Sequence, residues 1–254
     1  MLATTLVFGL SLIPTLVSAG LFPAKGPVKI LTASKFKQVM KEEQTSMVVF
    51  FAPWCGHCKN LTPEYIKAAQ ALDPLVPFYA VDCDADENKQ LCAEQGVKGF
   101  PTLKSFPRGG KTLPHDFQGE RKAGPIVNYM NSEVPNRVAV IKGKDKLQPW
   151  LETDNNKPHA LLLTSKPKTP LQWKVLQNKF RNAITFAALK DADGAIAKTF
   201  DIDSNGGKES VILVWNVDAT EPVVYKGEKK FEPLVDFLSQ ADVTKDRKAT
   251  REEL

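Results

Sequence analysis

The sequence predicts an α/β chain of two tandem units, each a central mixed sheet flanked by helices. Three observations carry this. Short apolar runs of strand length alternate with stretches of helical period, twice along the chain. A C-x-x-C pair falls where one of those runs meets a helix. The length of 254 residues, 43% hydrophobic and 25% charged, suits an ordinary globular chain with one large domain or two of about 110 residues; disorder and collagen-like composition are excluded.

In the first unit, residues 28–31 read as a strand, 34–43 as a helix and 47–52, a wholly apolar run, as a buried strand. A helix follows the cysteines to residue 72, with a kink expected at Pro63, which lacks the N–H that the helix needs. Residues 76–81 read as another apolar strand and 88–95 as a helix. Residues 102–106 form a strand expected to reach a hairpin turn at Arg108-Gly109-Gly110-Lys111. Residues 115–117 answer it, and 126–130 lie in a closing helix. The second unit repeats the rhythm in weaker form, with strands at 137–141, 160–163, 185–189, 211–215 and 223–226 and helices at 171–180, 192–200 and 233–239. Strand-helix-strand-helix-strand-strand-helix is the order of a thioredoxin-like α/β sandwich. The expectation is therefore two tandem thioredoxin-like domains, at 20–132 and 133–243.

The two ends read as addresses. Residues 1–19 are uncharged after the initiator and carry an apolar stretch from Leu6 to Val17, then Val17-Ser18-Ala19, small residues suited to signal-peptidase cleavage. The rival reading, a membrane anchor, needs about 20 apolar residues, and Pro14 interrupts this run. No later segment is long and apolar enough to span a bilayer, so the expected product starts at Gly20 and is soluble in a compartment where disulfides persist. The chain closes Arg251-Glu252-Glu253-Leu254 after a polar stretch read as flexible (244–250), and this ending is similar to the Lys/His-Asp-Glu-Leu retrieval signal of the endoplasmic reticulum.

Charge excludes one class of partner. Residues 1–132 hold 14 basic and 11 acidic side chains, and residues 133–254 hold 20 and 18. No stripe of one sign exists to track a polyanion, so nucleic acid is not expected as a partner.

Four cysteines in 254 residues are too few for a disulfide scaffold, and their spacing matters more than their number. Cys55 and Cys58 lie in Trp54-Cys55-Gly56-His57-Cys58-Lys59, at the start of a helix. There the first sulfur meets unpaired N–H groups and the positive end of the helix dipole, which favour thiolate over thiol. Cys55 is the candidate nucleophile; Cys58, one turn on, can attack a mixed disulfide and release the substrate. His57, between them, can stabilise the Cys55 thiolate. The rival reading is a zinc half-site completed by Cys83 and Cys92; their spacing of nine and the redox-fold element order argue against it.

The stretch Ala52-Pro53-Trp54-Cys55-Gly56-His57-Cys58-Lys59 resembles the hallmark of the protein disulfide isomerase family, over residues 28–130. The resemblance extends to Gly99-Phe100-Pro101-Thr102, where it implies a cis-proline facing the active cysteines, and to Gly119-Glu120-Arg121, where it implies an arginine that modulates the second cysteine. Read alone, Pro101 is a strand-edge or turn proline and Arg121 a surface charge. With the resemblance, Cys55, Cys58, His57 and Arg121 are the catalytic set, and Trp54, Phe100 and Pro101 the substrate-binding set. One active domain followed by a redox-silent one, with a pair like Cys83 and Cys92, is similar to the small fungal members. That second pair is expected to be a structural disulfide, with a redox-sensing pair as the alternative.

Two departures stand out. Family members usually carry a buried Glu three residues before the Ala of the motif, often paired with a Lys on the neighbouring strand; here Val49 and Ala80 hold those places. The second unit has no cysteine, so it has no thiol chemistry, and substrate contact and spacing are its two readings. A sequon, Asn60-Leu61-Thr62, falls in the helix just after the pair and is expected to stay bare. Lys166-Pro167-Lys168, at the second unit's equivalent turn, reads as a solvated loop.

The resemblance implies a protein disulfide isomerase in the endoplasmic reticulum lumen, forming and rearranging disulfides of folding secretory proteins. It needs no cofactor or metal, and exchanges electrons with an upstream thiol oxidase or glutathione. Its partners are unfolded or misoxidised secretory proteins, with no nucleic acid and no membrane. The alternative is a non-enzymatic holdase or adaptor chaperone that binds unfolded clients.

Overall fold

The computed structural model describes residues 21–252. The candidate leader, residues 1–19, and the last two residues of the retrieval-like ending lie outside them.

The first sheet is built from β1 (Val28–Ile30), β2 (Ser46–Phe51), β3 (Phe78–Asp82), β4 (Thr102–Gly110) and β5 (His115–Asp116), in the order β1-β3-β2-β4-β5. β1, β3 and β2 run parallel, and β4 and β5 return antiparallel. β2 is central and buried on both faces, which is why its sequence, Ser-Met-Val-Val-Phe-Phe, is a continuous apolar run without alternation. Its side chains still divide by parity: Met47, Val49 and Phe51 enter the core with α2 (Gly56–Leu72) and α4 (Ala123–Glu133), whereas Val48 and Phe50 enter the core with α1 (Ala33–Met40) and α3 (Asp86–Glu94). Thr32 caps α1, its Oγ1 accepting from Lys35 N–H.

The second sheet repeats this topology with β6 (Ala139–Ile141), β7 (His159–Thr164), β8 (Thr185–Lys190), β9 (Val211–Trp215) and β10 (Val223–Val224), in the order β10-β9-β7-β8-β6. Helix α6 (Leu171–Lys179) and α8 (Phe231–Glu252) cover one face; α5 (Leu147–Leu151) and α7 (Ala195–Lys198) cover the other. The two units pack together. Val175 of α6 is buried in the first unit's core, Lys174 Nζ donates to the Asn131 carbonyl at 3.0 Å, and Arg181 pairs with Glu43.

Several expectations are corrected. The hairpin turn does fall at Arg108-Gly109-Gly110-Lys111, where the Lys111 N–H donates to the Arg108 carbonyl at 3.0 Å between β4 and β5, although the extended strand runs further than expected, through Gly110. Its glycines also serve a close crossing: Gly109 has φ +51°, and a Cβ there would lie 2.3 Å from the Met40 carbonyl oxygen at the end of α1. The helix expected at 192–200 shrinks to Ala195–Lys198, since Gly194, at φ +75°, delays its start. α5 and the 3-10 turn before it (Lys144–Lys146) were not anticipated, because five residues interrupted by Pro149 carry no readable period. The closing helix, expected to stop at 239, continues to Glu252 and takes in the segment read as a flexible tail. After Pro233 that segment holds no Gly or Pro, and Ala, Lys, Arg and Glu favour continuation. No described helix is long and apolar enough to cross a membrane.

Candidate active site

The site forms where β2 ends and α2 begins. Cys55 is the N-cap of α2, with extended backbone (φ −74°, ψ 116°), and its Sγ accepts the Cys58 N–H at 3.3 Å. A sulfur therefore takes the place of the usual capping oxygen at an orphan amide. α2 buries the stripe Cys58, Leu61, Tyr65, Ala68 and Leu72 against the sheet. That stripe puts Cys58 beneath Cys55. Both are free thiols and both are buried.

Their environments push them apart. For Cys55, burial works upward, but hydrogen bonding with the Cys58 thiol, with the backbone N–H groups of Cys58 and His57, and the positive charge of Arg121 outweigh it, and the thiol is held below its ordinary value. Cys58 is pushed up to about 12 by burial first, then by donating its hydrogen bond to Cys55 and facing that sulfur's charge; the Ala52 backbone and Arg121 pull the other way without offsetting this. The pair thus holds one thiol that ionises more readily than usual and, behind it, one thiol kept protonated.

Trp54 and the 99–102 loop form the rim. Trp54 is 66% exposed and sets its ring edge-on to Phe100, with centroids 5.9 Å apart. The Phe100–Pro101 peptide is cis, and the Cys55 thiol lies 3.7 Å from the Phe100 carbonyl oxygen. Arg121 donates from Nη2 to the Pro101 carbonyl at 3.2 Å, so its charge reaches the sulfurs from across the loop. His57 is exposed, and its contribution to Cys55 comes from its backbone N–H. The catalytic and substrate-binding candidates therefore converge on one rim.

Three positioning residues were missed by sequence reasoning. Glu64 Oε2 accepts the Ala123 N–H at 3.0 Å, which ties α2 to the start of α4 just after Arg121. Gly119 admits the Phe117 ring, whose Cζ would lie 2.6 Å from a Cβ at 119, and so shapes the same turn. Tyr65 is fully buried, and its hydroxyl meets the carbonyls of Met47 (3.1 Å) and Tyr79 (2.9 Å), clamping α2 to β2 and β3. The partners of Glu64 and Tyr65 lie far off in sequence, so no local pattern announces them.

Cys83 and Cys92 form a disulfide. It sits in the core of the α1–α3 face, on the other side of the sheet from Cys55 and Cys58. The four sulfurs cannot share one tetrahedral centre, which removes the zinc half-site reading. Val49 and Ala80 are register partners, both buried on the face that carries Cys55 and Cys58. The sequon's Thr62 is buried, with its Oγ1 donating to the Cys58 carbonyl at 2.9 Å.

The family model for thioredoxin matches residues 27–132. A thioredoxin domain-containing protein of Schizosaccharomyces pombe, mitochondrial by its name, is 36% identical over 153 residues, which is 59% of this chain and 42% of the relative. The protein disulfide-isomerase of Saccharomyces cerevisiae is 31% identical over 210 residues (82% of this chain, 37% of the relative), and that of Medicago sativa 42% identical over 125 residues (48% and 24%). The chain spans less than half the length of each of these relatives. The crystal structure of ERdj5 form II aligns with a TM-score of 0.64 at 18% identity, covering 86% of this chain and 30% of that one, and so shares the fold. The first unit is thus matched by the thioredoxin family, and most of the chain's length is similar to part of a protein disulfide-isomerase.

Proposed function

We propose that this chain is a thiol-disulfide oxidoreductase and isomerase acting on folding secretory proteins in the lumen of the endoplasmic reticulum. The observation that carries the reading is the asymmetry of the pair: Cys55 held as the readier thiolate at a helix start, Cys58 buried and protonated behind it. In reduction, the Cys55 thiolate attacks one sulfur of a substrate disulfide; the new Cys55–substrate bond forms as the substrate bond breaks, and the other substrate sulfur leaves as a thiolate. Cys58, once deprotonated, attacks Cys55 Sγ, closing the Cys55–Cys58 disulfide and releasing the second substrate sulfur. Oxidation of a substrate dithiol is the reverse, and isomerisation releases the mixed disulfide to a different substrate thiol. Arg121 supports both thiolates, and Trp54, Phe100 and Pro101 supply an apolar rim for an extended client. Glutathione or an upstream thiol oxidase restores the disulfide form.

The test is refolding of a scrambled disulfide protein by the intact chain and by Cys55→Ser/Cys58→Ser. Loss of reactivation in the double variant supports the reading; undiminished suppression of aggregation with no thiol dependence would favour a holdase. The equilibrium potential against glutathione discriminates further. A value near the roughly −180 mV of protein disulfide isomerase fits oxidation and isomerisation, and one near the roughly −270 mV of thioredoxin fits a reductase. Microscopy of the full chain tagged internally after Gly20 tests the location, with mitochondria as the contrary outcome.

A further inference from the structure

The second unit carries a concave site of its own. At the carboxyl ends of its parallel strands lies a cavity of about 410 Å³. Four lysines line it: Lys142 just beyond β6, Lys166 and Lys168 after β7, and Lys190 closing β8. No aspartate or glutamate lines it. All four lysines are exposed, and none has an ion-pair partner among the described residues. Asp145, whose carboxylate lies against Gly143 at the rim, is paired with Lys146 instead.

Topology explains why a cavity opens here. The chain leaving β7 enters α6 on one face of the sheet, and the chain leaving β8 enters α7 on the other. Loops that diverge from adjacent parallel strands leave a crevice between them, the common location of ligand sites in open α/β sheets. Lys166 and Lys168 stand on one loop and Lys190 at the root of the other. The floor is apolar, with Leu189 buried within it.

The neighbouring edge narrows the occupant. β6 is the last strand of the sheet, so one side of its backbone has no strand partner among the described residues, and Val140 on it is 64% exposed beside the lysines. An unpaired edge accepts an extended polypeptide through main-chain hydrogen bonds. A phosphate cradle is not offered: the α7 amides of Ile196 and Ala197 are already taken by the Asp191 carboxylate, at 3.0 and 2.9 Å. The remaining donors are ammonium groups on flexible stems, which suit several separated carboxylates.

We propose that this cavity and the β6 edge bind extended, acidic segments of polypeptide in which carboxylates alternate with apolar residues. The inference rests on the reading that the chain handles polypeptide clients, and gives the redox-silent unit a recognition task of its own. The apolar residues lie against Val140 and the floor, and the carboxylates against Lys142, Lys166, Lys168 and Lys190.

The experiment measures binding of a fluorescein-labelled peptide of alternating Glu and Val to the full-length Cys55→Ser/Cys58→Ser protein by anisotropy, so no thiol step enters. The expected result is saturable binding that weakens with salt, is absent for the Gln-Val counterpart, and falls about tenfold or more in Lys166→Glu/Lys168→Glu. Lys198→Glu/Lys208→Glu, with the same charge change elsewhere on the unit, should bind as the parent does. Equal binding of the Gln-Val peptide, equal loss in both charge variants, or tighter binding of inorganic phosphate than of the peptide would overturn the proposal. Turnover of a small dithiol peptide by Lys166→Glu/Lys168→Glu with its cysteines intact tests the first unit alone. Turnover without Glu-Val binding by the parent sinks only this proposal, whereas absent turnover sinks the oxidoreductase reading.

Discussion

Val49 and Ala80 face each other across the β2–β3 ladder, both closed to solvent, on the sheet face that carries Cys55 and Cys58. Where relatives of this kind usually set a carboxylate and an ammonium, this chain sets a valine and an alanine, and no charge is stranded in the core. The consequence falls on Cys58, whose thiol is pushed up to about 12 and has no side-chain base beneath it among the described residues.

Mixed disulfides through Cys55 are therefore expected to be long-lived. Val49→Glu should accelerate Cys58-dependent release of a trapped substrate across about pH 6 to 8. It should also cost stability, roughly 3 to 5 kcal/mol for an unpaired buried charge, part of which Ala80→Lys restores. Quenched-flow release rates and denaturant melts measure the two effects. A stability loss with an unchanged release rate would sink the missing-base argument.

The two thiols should separate in reactivity. Because Cys55 is held below the ordinary thiol value, it should be alkylated by iodoacetamide at pH values where an unperturbed thiol is still largely protonated, and its rate should fall only as acid reprotonates it. Cys58 should stay unmodified until near its value of about 12. Site-resolved mass spectrometry of the reduced protein over a pH series reads both. Arg121→Gln removes a charge that favours both thiolates and should move the Cys55 profile upward.

The Cys83–Cys92 bridge closes a short loop between the exit of β3 and α3. Cys83→Ser/Cys92→Ser should lower thermal stability by roughly 2.5 to 3 kcal/mol on chain-entropy grounds and leave turnover at Cys55 intact, since the bridge lies on the opposite face of the sheet. Calorimetry and the refolding assay together check this. Lost turnover at unchanged stability would assign the pair a redox role instead.

Glu43 joins the units: Arg108 donates to it at 2.8 Å from the first unit, and Arg181 pairs with it from the second. The hydrogen bond from Arg108, and then the positive charges of Arg181, Arg108 and Lys111, hold its carboxyl below the usual range against the opposing effect of burial. A depressed carboxyl contributes in full above its unfolded value, and the contribution is lost as pH falls through the folded one. Small-angle scattering should show the units loosening in acid and, at neutral pH, in Glu43→Gln. An identical profile for the variant and the parent would deny Glu43 this role.

The sequence made the strands and the chemistry plain, for physical reasons. Apolar runs such as Met47 to Phe51 and Val211 to Trp215 are buried strands because nothing else hides so many adjacent apolar side chains, and Cys55 declares its role by standing at the junction of strand and helix. What stayed hidden depends on distance through space. Gly109 was legible as a turn residue, but not its close approach to the Met40 carbonyl, which joins elements far apart in sequence. Lys166-Pro167-Lys168 read as a solvated loop until the strand order brought it together with Lys142 and Lys190 at three strand ends.

The Tyr65 clamp has a kinetic meaning. Cys58 and Tyr65 lie two turns apart on one stripe of α2, and the phenol's bonds to the Met47 and Tyr79 carbonyls fix how deeply that stripe sinks. Depth is what keeps Cys58 protonated. On the proposed function, the dwell time of a captured client would depend on how firmly a helix is held down two turns away: a looser helix would let water reach the second sulfur and let clients go sooner.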